Sequence, residues 1–308
     1  MHSTGRGRLA LAAVAVGAVV ALAGCASGDP LAEETNGVGG ETTGAIVIGS
    51  QDYYSNAIIA EIYAQALEAN GFEVDRQFRT GQREVYLPEI EAGEIDLFPE
   101  YTGNLLQYYV PDTEATTSEE VYAELQNALP DGLRVLDQSS ATDQDSYNVT
   151  QAFSEANGVT SLADLAGVDV PLTLGGNSEL QTRPYGPEGL KSVYGVEVGF
   201  TAIEDNGGPL TIKALVDDQV QLVNIFSADP NIAANDLVTL EDPEGLFLAS
   251  NVVPLASERV TDEVADIINT VSAALTPEAL VQMNSESVND EESEDVIAKR
   301  WLDAQGLF

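Results

Sequence analysis

The stretch Asp96-Leu97-Phe98-Pro99-Glu100-Tyr101-Thr102-Gly103-Asn104-Leu105-Leu106 sets a carboxylate and a phenol side by side behind a short apolar run. Two kinds of chemistry suit such a pair. A tyrosine face attracts a cation through its ring quadrupole. A carboxylate can act as an acid or a base, and Glu100 with Asp145 would be the candidate pair for glycoside hydrolysis. Other chemistry is scarce, because the only histidine is His2 and the only cysteine is Cys25. A chain without them builds no Ser-His-Asp triad, Cys-His pair or His-based metal site. No cofactor is called for.

The elements that position these residues follow from the hydrophobic pattern. Residues 95–98 suffice for one buried strand and are too few for a helix. Pro99 has no N–H for a sheet ladder and is expected to stop the strand. A helix restarts near Asn104, with Leu105 and Leu106 on its buried side. Glu100 and Tyr101 then sit at the mouth of a strand-to-helix loop, where open α/β sheets bind ligands. On this stretch alone Tyr101 reads as a half-buried loop aromatic; the chain around it reverses that reading.

Upstream, residues 46–48 form a strand ending at Gly49-Ser50. Ile58, Ile59, Ile62, Ala66 and Leu67 recur at helical spacing, and Asn70-Gly71 stops that helix. Residues 72–78 alternate as a strand, and 83–92 form a helix leading to Glu100. This β-α-β-α order predicts a mainly parallel sheet flanked by helices. Thr117-Ser118-Glu119-Glu120 is a capping-box helix start. Residues 133–136 read as a strand, 161–166 as a short helix, 168–174 as a strand ending at Gly175-Gly176, and 220–226 and 237–240 as further strands. The C-terminal part is helical, with Val264, Ile267, Ile268, Val271 and Leu275 in one stripe, a new helix at Pro277, and Ile297 and Trp301 in the last. Trp301 reads as core packing.

Arg6 and Arg8, followed by an apolar run over 9–23, read as a signal peptide over 1–24. It ends in Leu22-Ala23-Gly24-Cys25, the lipobox pattern of bacterial lipoproteins, so Cys25 becomes the lipidated N-terminus and a membrane anchor. Residues 25–44, rich in Gly, Thr and Glu, read as a flexible tether. Removing the leader takes away two basic residues and none of the 51 acidic ones, leaving ten against 51, a formal charge of −41. Nucleic acid requires basic patches and is excluded as a partner. The overall field favours cationic ligands. With one cysteine there is no internal disulfide, and stability must come from burial.

The Pro99-Glu100-Tyr101-Thr102-Gly103 stretch resembles the PEYTG loop of substrate-binding proteins from osmoprotectant ABC transporters, the glycine betaine/choline/carnitine family. The resemblance runs from about Ile46 to Leu302. It implies an α/β, two-lobed periplasmic-binding-protein fold of type II with two interlobe crossings, lobe one spanning 45–145 and 252–308 and lobe two 146–251. It implies that Tyr101 is a wall of an aromatic cage for a quaternary ammonium, and that Glu100 and Thr102 belong to the same loop. Tyr53 stands where the family has an aromatic after the first strand. Asp145-Ser146-Tyr147 matches an Asp-x-Tyr at the first crossing that contributes to the cage; otherwise it is a polar turn before an edge strand. Thr182-Arg183-Pro184-Tyr185-Gly186-Pro187 resembles a further block in which a tyrosine forms another wall. Here Pro187 takes that tyrosine's place and Tyr185 lies two residues earlier. Ile212 replaces a fourth tyrosine in Gly208-Pro209-Leu210-Thr211-Ile212-Lys213-Ala214-Leu215. Phe226-Ser227-Ala228-Asp229 matches the family's F-T-T-D block with both threonines changed. Arg183 is read as a clamp for a ligand carboxylate, or equally as a surface or interlobe salt bridge.

The implied function is an extracytoplasmic binding lipoprotein, lipid-anchored on the cell membrane, monomeric and without enzymatic activity. It delivers a small solute such as glycine betaine, choline or carnitine to an ABC transporter permease by cleft closure. Two alternatives stay open at this point. One is a binding lipoprotein for a flatter or larger solute used in sensing, and the other is the carboxylate-pair glycosidase.

Overall fold

The structure, a computed structural model, describes residues 44–307. The signal peptide, Cys25 and residues 25–43 of the tether lie outside the described residues. Two five-stranded sheets organise the chain. Strands β1 (Ile46–Gln51), β2 (Val74–Gly81), β3 (Leu97–Tyr101) and β4 (Leu133–Val135) belong to the first sheet. The second contains β5 (Asp145–Thr150), β6 (Leu172–Gly176), β7 (Val198–Ala202), β8 (Leu222–Phe226) and β9 (Leu237–Thr239), and β10 (Val252–Ser257) returns to the first. The orders are β2-β1-β3-β10-β4 and β7-β6-β8-β5-β9. Each sheet holds three neighbouring parallel strands and one antiparallel strand, β10 or β5, in fourth place. Both antiparallel strands are the ones that enter directly from a crossing.

Helices α1 (Tyr54–Ala69), α2 (Arg83–Glu91), α3 (Thr102–Tyr109) and α4 (Ser118–Ala128) accompany the first sheet. Then come α5 (Gln151–Asn157), α6 (Pro187–Tyr194), α7 (Pro209–Val216) and α8 (Asn231–Ala234) of the second lobe. The chain ends with α9 (Asp262–Ala274), α10 (Pro277–Asn289) and α11 (Glu294–Gln305), which pack back onto α1. Helix α1 is apolar nearly all round because it is sandwiched, with Ile58, Ile59, Ile62, Ala66 and Leu67 fully buried among β1, α9 and α11. Trp301 lies in that same core. The capping box at Thr117 forms as the sequence indicates, with Glu120 reaching back to it.

Strand β3 departs from expectation in an instructive way. It runs straight through Pro99 to Tyr101, and α3 begins at once at Thr102, so Glu100 and Tyr101 are strand residues with no loop between. The strand is interior, between β1 and β10. Pro99 is tolerated because it stands directly opposite Pro254 of β10. Two facing prolines can only form a pair that exchanges no hydrogen bonds, so neither missing N–H is needed there. On its other side the β1–β3 pairing is confined to Ile48 with Leu97. The carbonyl of Pro99 accepts Asn56 Nδ2 at 2.8 Å, and that of Pro254 accepts Leu136 N at 2.9 Å. The carbonyl oxygens of both facing prolines are therefore satisfied.

Other boundaries shift for local reasons. The expected short helix at 161–166 is present as a 3₁₀ helix over Leu162–Gly167, its start held by Asp164 Oδ2, which gathers the N–H groups of Thr160 and Ser161 and both hydroxyls. Strand β6 starts at Leu172, just after Pro171, instead of at 168. The segment read as a polar turn before an edge strand is β5 itself, which lies inside the second sheet between β8 and β9. Gly103 of the PEYTG stretch is required by close approach: a Cβ there would sit 2.8 Å from the Ala249 carbonyl oxygen and 3.0 Å from Leu248 Cβ.

The two crossings run side by side. Thr142 bridges antiparallel to Asn251, Val252 N donates to Ala141 O at 2.9 Å, and Ser139 N donates to Val252 O at 2.9 Å. The lobes therefore hinge on a two-stranded strap with Asp143 immediately beyond it.

Candidate solute-binding cleft

The site is assembled from the C-terminal ends of strands in both lobes, as open α/β sheets favour. Tyr53 ends the turn after β1, Tyr101 ends β3, Tyr185 precedes α6, and Phe226 ends β8. All four rings line one cavity of about 60 Å³ between the lobes, enough for roughly four to six water-sized groups at 10–15 Å³ each. Tyr53 donates its hydroxyl to Tyr101 Oη at 2.6 Å. Its ring stacks on Phe226 across the cleft at 4.9 Å and 28°. Asn56 Nδ2 reaches Tyr101 Oη at 3.4 Å.

The lobes are closed on each other. Asn104 Nδ2 donates to Asp145 Oδ2 at 2.6 Å and to Tyr185 Oη at 3.1 Å. Tyr54 donates to Asp229 Oδ2 at 2.9 Å. At the mouth, Gln82 Nε2 donates to Asn206 Oδ1 at 2.9 Å, Asn206 Nδ2 donates to Asp52 Oδ1 at 3.2 Å, and Arg183 pairs with Glu84 at 2.7 Å. Of the two readings of Arg183, the interlobe salt bridge is the contact observed.

Glu100 does not face the cavity. It is fully buried and accepts Arg83 Nε at 2.8 Å, Arg83 Nη2 at 2.9 Å, Tyr101 N at 2.8 Å and the Tyr86 hydroxyl. Its role is to neutralise and aim Arg83, which does line the cavity. The Glu100–Asp145 pair is therefore not brought together as two free carboxylates. Thr102 is also buried, accepting Asn251 N at 3.0 Å and donating to Ala249 O, so it ties α3 to the second crossing. Tyr147 lies in the second-lobe core, its hydroxyl bonded to the Tyr185 carbonyl and its ring edge-on to Phe247 at 5.0 Å. It braces Tyr185 from behind and is absent from the cavity lining. Pro187 and Ile212, at the two expected tyrosine positions, are a helix start and a core residue, also outside the lining.

Tyr53, Tyr101, Asp145, Arg183 and Tyr185 are thus brought together, and Glu100, Thr102 and Tyr147 support them. Sequence reasoning missed Gln51, Arg83, Asn104, Asp143, Asn177, Asn206, Asn224 and Phe226 as lining residues. Only Phe226 carried a signal, as the first residue of its family block. Asp143 stands out chemically: burial pushes its carboxyl up to about 7, partly offset by hydrogen bonds from Ala228 N at 3.0 Å and Ser55 Oγ at 2.9 Å.

Two α/β lobes joined by a paired strap and closed over a small aromatic cavity define a two-lobed, type II solute-binding protein. The family model described as the substrate binding domain of ABC-type glycine betaine transport systems matches residues 44–304, and the chain belongs to that family. It is 25% identical over 255 residues to the glycine betaine-binding protein YehZ of Escherichia coli K12, covering 78% of this chain and 84% of that protein. The apo structure of YehZ superposes with a TM-score of 0.62 over 86% of this chain and 99% of that one. A solved glycine betaine/carnitine/choline ABC transporter protein shares the fold at 19% identity and a TM-score of 0.69, covering 85% of this chain and 99% of that one. The chain is also 21% identical over 271 residues to the ergothioneine transport permease/binding protein EgtU of Helicobacter pylori G27, spanning 85% of this chain and 48% of that protein.

Proposed function

We propose that this substrate-binding protein captures a small quaternary ammonium solute by closing its lobes, and delivers it to an ABC permease without chemical change. The observation that supports this most strongly is the cavity itself, with four aromatic rings and uncompensated carboxylates around a volume of about 60 Å³. Each favourable cation–ring contact is worth roughly 0.5–2 kcal/mol. A flat solute intercalated between rings fits less well, because Tyr53 and Phe226 already stack on each other. Calorimetric titration with a trimethylammonium solute tests the reading; saturable binding that Phe226→Ala weakens is expected, and no binding would contradict it.

We also propose that Cys25 carries a lipid anchor on the extracytoplasmic face of the membrane, the tether giving the lobes reach toward a permease. Two or more acyl chains suffice for stable anchoring. Cys25→Ala is expected to move the protein from the membrane fraction to the soluble one, or to leave it unprocessed, with the lobes still folded. A variant that fractionates like the mature wild type would refute the anchor.

A further inference from the structure

The charges around the cavity do not balance. Arg83 is neutralised by Glu100 and Arg183 by Glu84. Asp143, Asp145 and Glu179 also line the cavity, and none of them has a cationic partner among the described residues. Asp143 is 2% exposed and Asp145 6%, so water does little to screen either. Buried charges are ordinarily paired; here the pairing is left to whatever fills the cleft. A second feature points to a ligand independently: Gln51 is 6% exposed, lines the same cavity, and its Nε2 has no hydrogen-bond partner among the described residues. A donor left open in that way calls for an acceptor on the solute.

We infer that Asp143, acting with Asp145, makes this cleft select a net-cationic onium bearing a neutral acceptor, such as a hydroxyl, over a zwitterion; this rests on reading the cleft as the solute site. A cation offsets one of the unpaired negative charges, whereas a zwitterion brings a carboxylate in with its ammonium and leaves the excess untouched. A hydroxyl answers Gln51 without adding charge. Asp143 is placed to sense the difference. It sits immediately beyond the strap that joins the lobes, and the ionisable groups acting on it are the carboxylates of Asp229 and Asp145, with the phenols of Tyr53, Tyr54 and Tyr101 close by. Its ordinary value is raised to about 7 by burial first, and an arriving cation lowers it again, so solute binding near pH 7 expels a fraction of a proton.

Choline and glycine betaine make a matched pair of probes, sharing the trimethylammonium and differing in hydroxyl against carboxylate. Calorimetry on the wild-type protein at pH 8 is expected to show choline binding roughly tenfold or more tighter, a difference of about 1.4 kcal/mol or more. In Asp143→Asn and in Asp145→Asn the ratio should fall toward one. Titrations near pH 7 in buffers of different ionisation enthalpy should show proton release with choline that Asp143→Asn removes. Glycine betaine binding as tightly as choline to the wild type would overturn the inference while leaving the cleft assignment intact, and it needs no variant to fold. A ratio unchanged in both variants, or no proton release, would overturn the part given to these aspartates. Failure of both solutes to bind would remove the cleft reading, and this inference with it.

Discussion

Replacing Glu100 with alanine is expected to destabilise the protein by about 3–5 kcal/mol, the cost of leaving a buried charge without its partner. The Arg83 guanidinium is desolvated, and its ionised form is held by the Glu100 carboxylate, which is itself 0% exposed. Removing the carboxylate strands the guanidinium and the Tyr86 hydroxyl together and takes away the acceptor of Tyr101 N. Replacing both partners, as in Arg83→Met with Glu100→Gln, should recover a substantial part of the loss, since no unpaired charge remains. Urea denaturation of the two proteins measures both numbers. A loss below about 1 kcal/mol for Glu100→Ala would mean that water reaches Arg83 and that the pair is not sequestered.

The second large effect is a pH dependence that runs opposite to the usual carboxylate behaviour. Asp143 has a folded-state value of about 7, against about 3.9 in an unfolded chain. Between these values the folded protein binds more protons than the unfolded one, so stability falls as pH rises. The favourable contribution is complete below about pH 4 and gone above about pH 7, for a total of roughly 4 kcal/mol at 1.36 kcal/mol per unit. Asp164 works the other way, because hydrogen bonds from Thr160 and Ser161 hold it down near 2. Comparing Asp143→Asn with wild type cancels that background. The variant should gain about 3 kcal/mol relative to wild type between pH 4.5 and pH 8. Parallel stability curves would show that Asp143 is ionised without cost in the closed protein.

The parts of this architecture that could be read from the residues are those governed by local rules. The βαβ alternation, the capping box at Thr117, the stop at Asn70-Gly71 and the C-terminal helical stripe all depend on spacing within a dozen residues. Pro99 misled because its tolerance depends on Pro254, which stands 155 positions away in the chain and opposite it in the sheet. The site was legible in proportion to residue type. Tyr53, Tyr101, Asp145, Arg183 and Tyr185 could be named from motifs, and they meet in the cavity. Tyr147 carried the same motif signal and shares a face of β5 with Asp145, yet it stands two residues further into the strand, where its ring packs in the second-lobe core, while Asp145 at the strand's first position reaches the cleft. Asn206 and Gln51 had no pattern of their own, and Phe226 had only its place at the head of a family block, since their roles come from closure of one lobe on the other. The fourth aromatic surface thus came from Phe226 instead of the two positions occupied by Pro187 and Ile212.

Whether the lobes close over a cation is tested most directly by a charge-for-carbon exchange in the solute. Choline and its neutral isostere 3,3-dimethylbutan-1-ol have the same shape and the same hydroxyl, and they differ only in nitrogen against carbon. Titrated calorimetrically into the wild-type protein, choline should bind saturably at one site, and the isostere should bind more weakly by roughly tenfold or more, because ring faces and unpaired carboxylates reward only the charge. Equal affinity for the two, or no binding of choline at any concentration tried, would contradict closure over a cation.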